Sequence, residues 1–157
     1  MLSVCEGGSV ITLDQVETRD NLRVVSDIGS WLPIYCTSQG KVFLAHMSRT
    51  SAEAQLRAQH KTQFTTQTIT DLTALMQEIE LCSANGYAIE NGEYKIGLRS
   101  ISAPVYTVEG KARYTVGVIG MFRSTRSDEF LAAVEQVCAT ASMISTALGY
   151  RKTEELL

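Results

Sequence analysis

The stretch that most restricts the fold is residues 86–106, GYAIENGEYKIGLRSISAPVY. It reads as a helix-ending glycine, a turn at Asn91-Gly92, a polar loop and then a strand. From Arg99 onward, Ile101, Ala103 and Val105 alternate with Ser100 and Ser102. That period of two puts apolar side chains on one face and hydroxyls on the other. Such a strand packs a core on one side and meets a ligand or water on the other. Residues 113–122 read as a second strand, with Tyr114, Val116 and Val118 on one side and Thr115, Gly117 and Ile119 on the other. A turn at 108–111 joins the two into an antiparallel hairpin. Gly117 and Gly120 would weaken a strand unless another group closely approaches the backbone.

The rest of the chain supplies layers around that hairpin. Residues 8–17 are expected as a strand that pairs, across a polar turn, with a second strand at 22–25. Residues 29–33 are expected as a loop, in which Pro33 biases Leu32 toward an extended backbone. A helix is predicted over 37–47, capped by Thr37 or Ser38, and a short polar helix over 50–61. A Thr- and Gln-rich loop covers 62–70. Leu72, Leu75, Met76, Ile79 and Cys82 then recur at helical spacing. A last helix begins at Ser127-Asp128 with Phe130, Val134, Val137, Cys138, Ala141, Ile144 and Leu148 as its stripe. Strands, then helices, then strands and a closing helix predict one α+β domain over residues 1–157 with a central antiparallel sheet.

Composition narrows the function. The net charge is −3 and the 14 Lys and Arg are scattered, so these residues alone make a poor nucleic-acid surface. The reading finds no apolar run long enough to span a bilayer and no signal peptide. Cys5, Cys36, Cys82 and Cys138 are far apart and form no CxxC pair. Their simplest reading is free thiols in a reducing cytoplasm. His46 and His60 have no metal-ligand spacing, so no metal is expected. No cofactor motif is present, and SQGKV at 38–42 lacks the glycine spacing of a phosphate-binding loop. The helix start at 37–39 can still hold an anion or a carbonyl oxygen through its free N–H groups. Cys36, just before that helix, is the one candidate nucleophile.

Four segments in order, LPIYCTSQGKVFLA, TQTITDLTALMQEI, GYAIENGEYKIGLRSISAPVY and LGY, resemble the C-terminal effector-binding domain of the IclR family of bacterial transcriptional regulators. Gly86, Glu93, Ser100, Ile101, Ser102, Val105 and Tyr106 fit the family's signature. Glu90 stands where Asp or Ser is usual, and Thr107 where Asp or Asn is usual. The resemblance implies a GAF-like (profilin-like) α+β domain: a curved antiparallel sheet with helices on one face and a ligand pocket on the other. Val116 and Val118 would then face the helices. It implies a small organic effector held by Thr37, Ser38, Gln39, Glu90, Ser100, Gly117 and Ile119, with Val24 and Leu32 as apolar walls. Gly117 and Ile119 replace hydroxyls of better-known members, which points to a larger or more apolar acid, such as an aromatic or alicyclic one. A charged Glu90 would repel that acid unless it is protonated, turned away or bridged by water. The resemblance further implies no catalytic residue, a homodimer or homotetramer, a cytoplasmic location, and DNA contact only through an N-terminal winged helix-turn-helix absent from this chain. The chain is then a fragment of a regulator or a stand-alone sensor, with the fragment favoured. The competing reading is a small thiol-dependent enzyme using Cys36 on the same fold.

Overall fold

The computed structural model describes residues 1–17 and 27–151. Among the described residues, six strands form one sheet: β1 (Leu2–Glu6), β2 (Ser9–Asp14), β3 (Trp31–Pro33), β4 (Ala88–Asn91), β5 (Arg99–Tyr106) and β6 (Ala112–Gly120). Its order is β3-β2-β1-β6-β5-β4, and every pairing is antiparallel. The helices are α1 (Ser38–Ala45), α2 (Arg49–Ala58), α3 (Leu72–Asn85) and α4 (Asp128–Ala147).

The central hairpin is as expected. β5 and β6 pair from Arg99 opposite Gly120 to Tyr106 opposite Ala112. Helix α4 covers one face, where Phe130, Val134, Val137 and Ala141 pack on Ile101, Ala103 and Val105. Burying each of the Phe, Val and Ile side chains among them stabilises the fold by about 1.5–3 kcal/mol. Val116 packs at the edge of this cluster, but Val118, expected against the helices, is 42% exposed. Helix α4 is also long and apolar enough to cross a membrane by length and composition, contrary to the sequence reading. Its Ala, Val, Ile and Leu raise its mean apolarity while Ser, Thr and Glu break any unbroken apolar run, and its inner side is packed on the sheet.

The first hairpin differs from expectation. Residues 2–6 form a strand that the sequence reading missed, and Gly7 and Gly8, with φ of 56° and 79°, turn it into β2. These positive angles are those of a tight hairpin turn. The expected strand at 22–25 lies outside the described residues. The expected loop at 29–33 contains the short strand β3, in which Leu32 pairs with Val10.

Helix α1 runs across the opposite face of the sheet beside the pocket. Thr37 caps it, its Oγ1 accepting the Gly40 N–H at 3.2 Å. Residues Ser38 to Leu44 are all buried. Gly40 lets the helix pass close to the preceding chain, since a Cβ there would lie 1.9 Å from the Ile34 carbonyl oxygen. Asp71 caps α3, and Gly86 ends it with φ of 77°, the helix-ending glycine that the sequence predicts.

Candidate functional site

Cross-strand register brings the expected polar residues into rows. Glu90 pairs with Ser100, and Ser100 with Ile119. In the next row Ala88 pairs with Ser102, and Ser102 with Gly117. All six side-chain positions lie on the face that α1 approaches, because paired residues share a face.

Beside the start of α1 is a cavity of about 190 Å³. Six expected site residues line it: Leu32, Thr37, Gln39, Glu90, Ser100 and Ile119. Lys95, Tyr94, Leu98 and Met1 are among the others. Ser38, though expected there, is not among the lining residues. Its Oγ donates to Ser100 Oγ at 2.9 Å and shares a hydrogen bond with Ser102 Oγ at 2.8 Å. Gly117 supplies space rather than a contact: a Cβ there would meet Ile101 O and Ser102 Oγ, each at 2.4 Å. Ser102 therefore occupies the room that a side chain on β6 would need. Val24 lies outside the described residues.

Glu90 is turned inward and its oxygens are engaged. Oε1 accepts the backbone N–H groups of Glu93 at 2.5 Å and Tyr94 at 3.1 Å. Oε2 accepts the Ser100 hydroxyl at 3.2 Å. Burial pushes its pKa up, the N–H donors of Tyr94 and Glu93 oppose that, and the charge of Glu93 adds to it. Glu90 thus fastens the 91–94 loop to β5 as well as lining the cavity.

The same loop rests on a buried ion cluster that the sequence reading did not find. Lys41, 1% exposed, donates to Glu93 Oε1 at 2.6 Å, Glu78 Oε2 at 3.0 Å and Ile89 O at 3.2 Å. Burial alone would lower the lysine pKa, but Glu93 and Glu78 hold it above its usual value. For Glu93, burial raises the pKa and outweighs the pull of Lys41. Thr65 and Thr68 secure the loop from the other side, donating to the carbonyls of Gly92 and Glu93 at 2.6 Å each. A lysine in the first turn of a helix gives no local sign of burial, because its partners lie 37 and 52 residues away. Lys95 was also missed. It is an exposed cation beside the cavity, with its ammonium 6.0 Å from the Tyr94 ring centre.

The thiol reading loses its basis here. Cys36 is fully buried, and burial, then the charges of Glu93 and Glu90, push its thiol up to about 12. A nucleophilic cysteine needs the opposite, an accessible thiol with a lowered pKa.

The family model described as "Bacterial transcriptional regulator IclR C-terminal" matches residues 1–146. The chain belongs to the IclR family. The HTH-type transcriptional regulator BhcR of Paracoccus denitrificans (strain Pd 1222) is 29% identical over 151 residues. That alignment covers 96% of this chain and 54% of BhcR, so the chain spans about half the length of this relative. The crystal structure of the Agobacterium tumefaciens repressor BlcR superposes with a TM-score of 0.82 at 28% identity, over 96% of this chain and 60% of BlcR. An IclR homolog from Microbacterium hydrocarbonoxydans, crystallised with 4-hydroxybenzoate, shares the fold, with a TM-score of 0.83 at 22% identity over 94% of this chain and 59% of that one. Glu93, which the resemblance matches to the family's signature, is the partner of Lys41, and Glu90 lines the cavity. The chain is an effector-binding domain of the type found in these transcriptional regulators.

Proposed function

We infer that the cavity is the effector site and that it takes a small organic acid. The observation that carries this reading is the convergence of Thr37, Gln39, Glu90 and Ser100 with Leu32 and Ile119 around one cavity beside a helix start. The free N–H groups at that start favour an oxyanion, and Lys95 adds a positive charge beside the cavity. Because the Glu90 carboxylate is held by backbone N–H donors, its repulsion of an incoming acid is reduced. The cavity, about 190 Å³, is below the ~300–1,000 Å³ usual for drug-sized ligands. It suits a short chain or a single ring, and its wall of Leu32, Leu98 and Ile119 suits an alicyclic or aromatic one. The homolog crystallised with 4-hydroxybenzoate carries an acid of that size.

In this reading the domain is the sensor of a cytoplasmic regulator whose DNA contacts come from a separate winged helix-turn-helix, and which assembles as a homodimer or homotetramer. Effector binding shifts the equilibrium between assemblies that bind DNA and those that do not. Calorimetry with a panel of carboxylic acids tests the site. A single-ring acid should bind, and Glu90→Ala should change the order of preference across the panel. Binding confined to two- and three-carbon acids, or an unchanged order in Glu90→Ala, would overturn the reading.

A further inference from the structure

A second cavity, of about 400 Å³, lies between α3 and β4, the last strand of the sheet. It shares no lining residue with the cavity described above. Its volume falls within the ~300–1,000 Å³ usual for small-molecule sites. Lys41, Glu78 and Glu93 are the charged residues of its lining, so one ammonium faces two carboxylates.

What the cavity can bind follows from which polar atoms are still unpaired. An ammonium has three N–H donors, and those of Lys41 go to Glu93 Oε1, Glu78 Oε2 and Ile89 O. None is left for an incoming anion. Glu93 is the opposite case. Its side chain is 6% exposed, and Oε2 has no hydrogen-bond partner among the described residues. The Asn91 N–H is near enough to favour the carboxylate form without bonding that oxygen. Buried carboxylate oxygens normally have a donor, so Oε2 marks a place where one is wanted. Glu78 uses Oε2 on Lys41 and its side chain is 37% exposed, so a second carboxylate is reachable from solvent. Tyr87, Leu81 and Ile69 complete the walls. An aromatic face attracts cations, and the aliphatic walls can take a hydrocarbon tail.

We propose that this cavity is a second ligand site, for a small organic cation: an alkylammonium or alkylguanidinium that donates to Glu93 Oε2 and to Glu78 and lays its hydrocarbon part on Leu81 and Ile69. A neutral donor could fill Oε2 but would leave the second carboxylate without a counter-charge, which favours the cation. A metal ion fits poorly. The Lys41 ammonium already sits 2.6 Å from Glu93 and 3.0 Å from Glu78, and among the described residues no three His, Cys, Asp or Glu side chains group to hold a metal. The proposal is independent of the acid reading of the first cavity, since the two share no residue.

Calorimetry and thermal melts on the intact chain at pH 7, with butylammonium, butylguanidinium and the uncharged butylurea, test this. At least one of the cations should bind and raise Tm. It should bind about tenfold or more tightly than butylurea, the scale of one hydrogen bond to a charged group. Glu78→Gln should weaken that binding by about tenfold on the same scale. Glu80→Gln removes the same charge from the same helix outside the cavity lining, and should leave the affinity within about twofold of the wild type. Leu81→Lys sets a competing cation at the wall and should abolish binding. Because Leu81 is 57% exposed, that variant keeps the test decisive should Glu78→Gln fail to fold. Four results overturn the site: no cation binding with a Kd below ~10 mM, butylurea binding as tightly as the cations, binding that survives Leu81→Lys, or a loss in Glu80→Gln equal to that in Glu78→Gln. Each of them leaves the reading of the first cavity standing.

Discussion

Replacing Lys41 by methionine isolates the buried ion cluster. Methionine keeps most of the hydrocarbon stem, so the change mainly removes the ammonium and its bonds to Glu93, Glu78 and Ile89 O. Glu78 is partly exposed and recovers hydration, but the Glu93 side chain is 6% exposed and its Oε2 has no partner among the described residues. The variant therefore leaves one uncompensated buried carboxylate. Removing one partner of such a pair costs about 3–5 kcal/mol. For a chain of this size each kcal/mol lowers Tm by ~2–4 °C, so a drop of roughly 6–20 °C is expected at pH 7. Lys41→Met/Glu93→Gln should recover most of it, since no buried charge is then stranded. In the single variant Glu93 loses the cation that opposes its desolvation, and its folded pKa rises further above the unfolded value. Stability lost at neutral pH should then return as pH falls and Glu93 takes up a proton. Differential scanning calorimetry from pH 5 to pH 8 reads all of this. A Tm within 2–3 °C of the wild type at pH 7 would refute a paired, buried Lys41.

Gly40→Ala should destabilise by about 3 kcal/mol or more, because its Cβ would collide with the Ile34 backbone rather than a yielding side chain; urea unfolding checks it. In the wild type, burial raises both Glu90 and Glu93, so their desolvation cost is present above their folded pKa values and relieved as pH falls toward 4.5. Their contribution should make Tm rise or hold level on mild acidification, and Glu90→Gln should flatten that response. With the Cys36 thiol at about 12, only about one in 10⁵ molecules carries the thiolate at pH 7. Ellman's reagent should reach Cys36 only after unfolding, and Cys36→Ser should leave acid binding within twofold of the wild type.

Much of the fold is legible in the sequence because its signals are local. The alternation of 99–106, the helix start at Ser127 and the Gly86 stop each act within a few residues, and each recurs in the structure. The sequence reading passes over strand β1, although Leu2–Glu6 is followed by the hairpin turn Gly7-Gly8, because it pairs the strand at 8–17 with 22–25. The candidate cavity residues come from the family resemblance; the β4-β5-β6 register that puts Glu90, Ser100 and Ile119 in one row depends on distant pairing. The roles of Lys41 and Lys95 are not legible. What makes them notable is burial or proximity to distant chain, and neither is written in the residues beside them.

The sheet order carries a consequence for how the chain acquires its shape. β1 is an interior strand, bonded to β2 on one side and to β6 on the other. Leu2 pairs with Val116 and Val4 with Tyr114, so the seam joins segments more than a hundred residues apart. Closing such a span is entropically slow. During synthesis the β1–β2 hairpin emerges well before β6, so one edge of β1 stays open until β6 has been made. An open edge of that kind invites pairing with other chains. The β1–β6 seam should be the late, rate-limiting step of folding, and it is where a chain truncated before β6 would aggregate.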